Sequence, residues 1–294
     1  MGAPFRWLMK ALDVGRKNPK ALFLGFFLML LVGLIPGGMQ ILGQAVFPPT
    51  SGALMAIYVL SFVLSVLLLP PLVGAAFNLL HACERGQPAS ATDIFDGYRD
   101  LSFAVRMWLT MLLVMLMYVV ALGLLFALLP GKEFFVELMM RAATTPPGGQ
   151  PDMTGMPAFP PSFLLWLLGA MFVVVVLSNV YMLAYARAAL NQRGPVQALL
   201  DGFAGTLRNL LPFILIAIVV VIVGFVLLMI LGLVAGLAIG LLAALSPVLA
   251  AAIGLPIYIG LMLMLYVLAF GYYYHAWQDI FGEPAAAPED SIAV

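Results

Sequence analysis

Charge is what this chain has least of. Asp, Glu, Lys and Arg make up only 9% of its 294 residues, with thirteen basic side chains balanced by thirteen acidic ones. Soluble domains carry about a quarter charged residues, so an ordinary water-facing surface cannot be assembled from this composition. Zero net charge also argues against a nucleic-acid partner, because counterion release needs a concentrated basic face. A single cysteine, Cys83, excludes an intramolecular disulfide. With only two histidines, His81 and His275, no Ser/His/Asp arrangement can be put together, and no glycine-rich loop follows a strand to cradle a phosphate. Enzyme chemistry and a bound cofactor therefore have no support in the residues.

What is abundant is apolar sequence, 64% of the chain, with a mean hydropathy of +1.13. Roughly twenty apolar residues at ~1.5 Å rise each match a ~30 Å hydrocarbon core, and six such stretches can be placed. The expectation is an all-α, polytopic integral membrane protein whose six transmembrane helices form repeated hairpins with interfacial amphipathic helices. Residues 1–20 precede any span, and within them Arg6, Lys10, Asp13 and Lys17 recur at helical spacing opposite Phe5, Leu8, Met9 and Leu12. That pattern predicts an interfacial amphipathic helix; a solvated basic start is the plainer alternative. Spans 1–3 occupy 21–129 with a cytoplasmic connector at 83–104, and spans 4–6 occupy 163–277 with a connector at 187–211. Between them 130–162 reads as a Pro/Gly/Met-rich external loop, and 278–294 as a disordered tail.

The two connectors share an Asp-Gly-aromatic triplet, Asp96-Gly97-Tyr98 and Asp201-Gly202-Phe203. In the first, Ser90 and Asp93 have capping-box spacing, and Ile94, Phe95, Tyr98 and Leu101 are expected on one face. In the second, Val196, Leu199, Leu200, Phe203 and Leu207 form an apolar stripe. Residues 5–82, 92–190 and 196–277 each read as an amphipathic helix followed by a hairpin, a threefold parallel repeat; a twofold repeat of three spans is the rival. Ser246-Pro247 divides 212–276 into two long helices, since a third would be too short to span.

Basic residues set the orientation. With a cytoplasmic N-terminus and six spans, Arg6, Lys10, Arg16, Lys17, Lys20, Arg85, Arg99, Arg106, Arg187, Arg193 and Arg208 lie inside, and only Lys132 and Arg141 outside. Eleven against two is a strong positive-inside bias.

Prolines inside spans, Pro36, Pro70, Pro71 and Pro256, predict kinks, and Pro70-Pro71 should release the carbonyls of Val66 and Leu67 from their helical partners. Gly232, Gly236 and Gly240 are a small-xxx-small ladder for helix packing, within the chain or at a homo-oligomer seam. His81, Cys83, Glu84, His275 and Asp279 have residue types that suit zinc or copper, though in no recognised spacing. Met139, Met140, Met153 and Met156 would suit monovalent copper; a flexible apolar-leaning loop has the same composition.

Four motifs carry a resemblance: Arg16-Lys17-Asn18-Pro19, Pro70-Pro71-Leu72, Asp96-Gly97-Tyr98, and His275-Ala276-Trp277-Gln278-Asp279-Ile280-Phe281. With them the chain resembles a proteobacterial family of uncharacterised six-span inner-membrane proteins. The resemblance implies a bacterial inner membrane and carries no activity or catalytic residue across.

Two functions remain open. One is a non-enzymatic membrane component acting through protein or lipid contacts, with Arg6, Lys10, Arg16, Lys17 and Lys20 recognising anionic headgroups. Its partners would be membrane lipids, with a homo-oligomer or another membrane protein possible. The other is a channel or carrier for a small neutral or lipidic solute, using proline-interrupted spans. A proton-driven carrier is disfavoured, because the spans offer only Asn179, Asn78, Ser61, Ser65, Ser178 and Thr110 where coupled carriers keep ionisable groups.

Overall fold

Side-chain caps supplied by the local sequence start four of the long helices. The Asn18 amide oxygen accepts from Ala21 N–H (3.2 Å), Ser51 from Leu54 (3.1 Å), Asp100 from Ser102 (2.9 Å) and Ser246 from Leu249 (3.3 Å). Pro19 and Pro247 follow their caps at the first helical position, where a missing N–H costs nothing. The computed structural model describes residues 2–48, 51–144 and 159–282. In order these are α1 (Ala3–Leu12), α2 (Pro19–Val46), α3 (Gly52–Glu84), a 3-10 turn (Ala91–Phe95), α4 (Asp96–Arg99), α5 (Leu101–Leu128), α6 (Lys132–Thr144), α7 (Pro161–Leu190), α8 (Pro195–Arg208), α9 (Leu210–Leu245) and α10 (Pro247–Phe281). Among the described residues there is no strand.

Helices α2, α3, α5, α7 and α10 are each long and apolar enough to cross a membrane, and α8 with the first part of α9, bent 77° between them, passes the same test as a pair, which makes up to six. The fold is an all-α polytopic bundle. The 212–276 stretch is two helices, divided at Ser246-Pro247 as the turn chemistry predicts.

The core is concentrated at the end of the bundle where the connectors lie. Leu72, Phe77 and Leu80 of α3, Leu183 and Tyr185 of α7, Phe270 and Tyr274 of α10, and Leu22 and Phe26 of α2 are all buried there. Phe270 wedges between Phe26 and Phe77, with ring centroids 5.1 Å from each. Towards the opposite end the spans expose Leu116 and Val119 of α5, Leu165 of α7 and Phe225 of α9, a surface suited to hydrocarbon and not to water.

Two expectations are corrected. In the first connector Ile94 is buried, but Leu101 is exposed, because Asp100 ends the α4 turn in extended geometry and starts α5. In α8 Val196, Leu200 and Leu207 of the apolar stripe are exposed, and the face packed on the bundle is a separate one of Ala198, Gly202, Gly205 and Thr206. Small residues win that face because it lies close against the α7 backbone. The 130–162 segment is not loop throughout, since Lys132–Thr144 forms α6, which carries an Arg141–Glu137 pair (2.8 Å) one turn apart. Met153 and Met156, and the tail beyond residue 282, lie outside the described residues.

Candidate functional site

The chemistry of this chain gathers where the short helices meet the ends of the spans. The glycines of the two Asp-Gly-aromatic triplets explain how. A Cβ on Gly97 would stand 2.6 Å from the carbonyl oxygen of Pro71, and one on Gly202 would stand 2.7 Å from that of Val180. Each connector thus lies on the backbone of the span before it, and only glycine fits. Helix α1 packs on α10, where Trp7 Nε1 donates to Asp279 Oδ2 (3.0 Å) and the Trp7 ring lies 5.9 Å from that of Tyr272. Asp201 on α8 holds Arg187 of α7 through Nε (2.9 Å) and Nη2 (2.7 Å), and the guanidinium lies 4.7 Å above the Phe281 ring.

Both α1 and α8 are divided into three sectors. Trp7 and Ala11 of α1 face the protein, Phe5, Met9 and Leu12 are exposed apolar residues, and Arg6, Lys10 and Asp13 occupy the remaining arc. In α8 Ala198, Gly202 and Thr206 face the protein, Val196, Leu200 and Leu207 are exposed, and Gln197 and Arg208 are polar. The sequence pattern found the last two sectors and missed the first, because alanine, glycine and a lone tryptophan leave no apolar period.

Of the five basic residues expected at headgroups, three have protein partners. Arg6 pairs with Asp279 (3.5 Å), Arg16 with Asp13 (2.8 Å), and Lys17 donates to the Glu84 carbonyl. Lys10 and Lys20 are exposed on the same surface. The pairs at Arg6 and Arg16 are themselves solvent-exposed, where such contacts hold a side chain only weakly.

The prolines serve packing. The Leu67 carbonyl, which Pro71 releases from its helical bond, accepts from Trp108 Nε1 (2.9 Å), and the neighbouring Leu68 carbonyl accepts from the Tyr98 hydroxyl. The Pro36 carbonyl accepts from Ser61 (2.6 Å), which also receives Gln40 (2.9 Å). Pro70 and Pro71 are buried, whereas Pro256 is exposed. Four further polar groups within the spans are engaged: Ser65 with the Ser61 carbonyl (2.9 Å), Thr110 with Arg106 (2.8 Å), Asn179 with Val175 (2.7 Å), and Ser178 with the Tyr118 hydroxyl (3.0 Å). Gly232, Gly236 and Gly240 are exposed, and a Cβ on any of them would meet no described atom within 4 Å. Close helix packing at that ladder is not made among the described residues.

The possible metal ligands are dispersed. His81 Nδ1 lies 3.0 Å from the Tyr274 hydroxyl, Glu84 accepts from Gly15 N–H (3.2 Å), Asp279 is held by Trp7, and Cys83 is buried. Among the described residues no three of His, Cys, Asp and Glu come together as a metal site.

Two of the cavities at this end bear on the site. One, of about 540 Å³, lies between α3, the first connector, α5 and α7, and is lined by Asn78, Asp93, Asp96, Asp100, Arg106 and Gln192. Its carboxylates are already occupied: Asp93 by Ser90 N–H (2.9 Å), Asp96 by Arg99 (2.7 Å), and Asp100 by the Ser102 hydroxyl (2.7 Å). That hydroxyl, with the Phe103 N–H, holds the Asp100 carboxyl below its ordinary range. Burial pushes the Tyr98 hydroxyl up to about 12. The other cavity, about 370 Å³ and mostly apolar, runs between α7, α9 and α10 beneath α1.

No protein-family model matches the chain, and neither curated proteins nor solved structures contain a match to it.

Proposed function

We propose that this chain is a non-enzymatic integral protein of the bacterial inner membrane that acts through lipid and protein contacts at the cytoplasmic leaflet, with both termini in the cytoplasm. The observation that carries this reading is the three-sector build of α1 and α8. Each turns one face to the bundle and a separate apolar face outward beside a polar arc, which is how a helix lies in a headgroup layer. The excess of Lys and Arg at that end supports its cytoplasmic placement. The Leu67 carbonyl that Pro71 frees and the hydroxyls of Ser61 and Ser178 support contact over conduction, because each is consumed within the protein.

A threefold internal repeat accompanies this reading. Its support is that α4 lies on α3, α8 on α7 and α1 on α10, so each surface helix has an even-numbered span as its seat. Recognition of anionic headgroups by Arg6, Lys10, Arg16, Lys17 and Lys20 would contribute about 1 kcal/mol per cation near the surface. The test is thermal stability in nanodiscs of graded phosphatidylglycerol content. Stability should rise with anionic lipid, and exchanging the five residues for Gln should abolish the rise. An unchanged dependence removes headgroup recognition.

The second reading, a channel or carrier for a small neutral or lipidic solute, is favoured by the apolar cavity between α7, α9 and α10. It requires flux in proteoliposomes that fails when Pro70-Pro71 or Asn179 is altered.

A further inference from the structure

The cavity between α7, α9 and α10 differs from the other hollows of the bundle in where it sits and in what it leaves unpaired. Its walls are Val175 of α7, Ala217, Val220 and Val221 of α9, and Leu265 and Ala269 of α10, and Leu8 of α1 closes its connector end. Val220, Val221 and Leu265 are also about half exposed on the outside of the bundle, so the cavity is continuous with the surface that faces hydrocarbon. Its volume of about 370 Å³ falls within the ~300–1,000 Å³ typical of small-molecule sites.

One fully buried polar group in this lining lacks a partner among the described residues. Tyr272 is only 8% exposed, and its hydroxyl is buried without a hydrogen bond among the described residues. A hydroxyl in that position costs stability unless something accepts its proton. Its ring lies against Trp7 of α1 (5.9 Å) and Phe213 of α9 (6.5 Å), immediately beneath the surface helix. In a bilayer that is the depth of the glycerol esters, just below the headgroups that α1 lies among.

We propose that the cavity holds one acyl chain of a bilayer glycerophospholipid, and that a shift of the Tyr272 ring brings its hydroxyl, otherwise enclosed, to donate to the ester carbonyl at the top of that chain. The assignment rests on the reading of α1 as an interfacial helix. An apolar slot open to hydrocarbon selects a chain, and an unpaired donor at ester depth selects a carbonyl in place of water or a free hydrocarbon. Ala217 and Ala269 leave the slot its width.

Photolabelling tests the site. The full chain is reconstituted in nanodiscs containing phosphatidylglycerol with a diazirine midway along one acyl chain, and labelled residues are mapped by mass spectrometry. Label should concentrate on Val175, Val220, Val221 and Leu265 relative to Leu116 on the exposed face of α5. Ala217→Trp should lower labelling of the slot about fivefold and leave Leu116 unchanged. Tyr272→Phe removes one oxygen and preserves the packing; it should lower the phospholipid retained in native mass spectrometry by about threefold to tenfold, the range expected for one hydrogen bond. Slot labelling no stronger than that of Leu116 overturns the proposal. Retention unchanged in Tyr272→Phe overturns the ester contact, as does equal retention of a photoreactive alkane without an ester. The five-residue Gln variant separates this site from headgroup recognition: slot labelling that survives it leaves the site standing even where the anionic preference is lost.

Discussion

Trp7 donates its indole hydrogen bond to Asp279, 272 positions further along the chain. The same contact zone holds Arg6 near Asp279 and the Trp7 ring against Tyr272 and Phe213. The first helix therefore belongs structurally to the last hairpin. Removing α1 should loosen α9 and α10 more than α2, and Trp7→Ala should cost about 3–5 kcal/mol, as expected for a buried aromatic side chain. Hydrogen exchange should show the largest gain at the C-terminal end of α10.

Breaking the Arg187–Asp201 pair should be costly in either direction. Both partners are mostly buried, and Arg187 also lies over Phe281. Asp201→Asn or Arg187→Ala should each destabilise by about 3–5 kcal/mol, because the charge left behind is poorly solvated. A double-mutant cycle read by thermal unfolding checks this through its coupling energy.

Trp108→Phe removes the donor that satisfies the Leu67 carbonyl. The expected loss is about 1–3 kcal/mol, the penalty of an orphaned acceptor. Restoring that helical hydrogen bond with Pro71→Ala in the Trp108→Phe background should recover part of it, which distinguishes the carbonyl from simple ring packing.

The glycines give opposed predictions. Gly202→Ala places a methyl 2.7 Å from the Val180 carbonyl and should cost about 1–3 kcal/mol or more through backbone displacement. Gly236→Leu meets no described atom nearby and should leave monomer stability within about 0.5 kcal/mol. Size-exclusion of both variants checks whether only Gly236→Leu alters the oligomeric state.

Asp100 supplies a pH dependence. Its carboxyl is held below the ordinary value by the Ser102 hydroxyl and the Phe103 N–H. A lowered carboxylate contributes stability above its unfolded value and loses it as pH falls through the folded one. Asp100→Ala should therefore melt lower than the parent at pH 7, with the difference closing below about pH 4, the ordinary carboxylate range.

Local features were legible in the sequence. Asn18-Pro19, the Ser90/Asp93 box and Ser246-Pro247 act within a few residues, and the released Leu67 carbonyl follows from Pro71 alone. The identity of what satisfies that carbonyl, Trp108, does not, because it is 41 positions away. The glycine ladder at 232–240 drew attention by its spacing, yet close approaches fall at other glycines, Gly97 and Gly202 among them. Spacing reports which faces can pack, and only the fold decides which do. The Tyr272 cavity was illegible for the same reason: its walls come from four helices, and tyrosine at a span end ordinarily signals an interfacial anchor.

The seating of α1 on α10 has a consequence in time. Synthesis at about 5–20 residues per second separates Trp7 from Asp279 by roughly 15–55 s. For that interval the aromatic flank of α1 has no mate of its own and must rest on lipid or on a chaperone. The bundle is thus latched by α1 only after α10, made much later, has arrived.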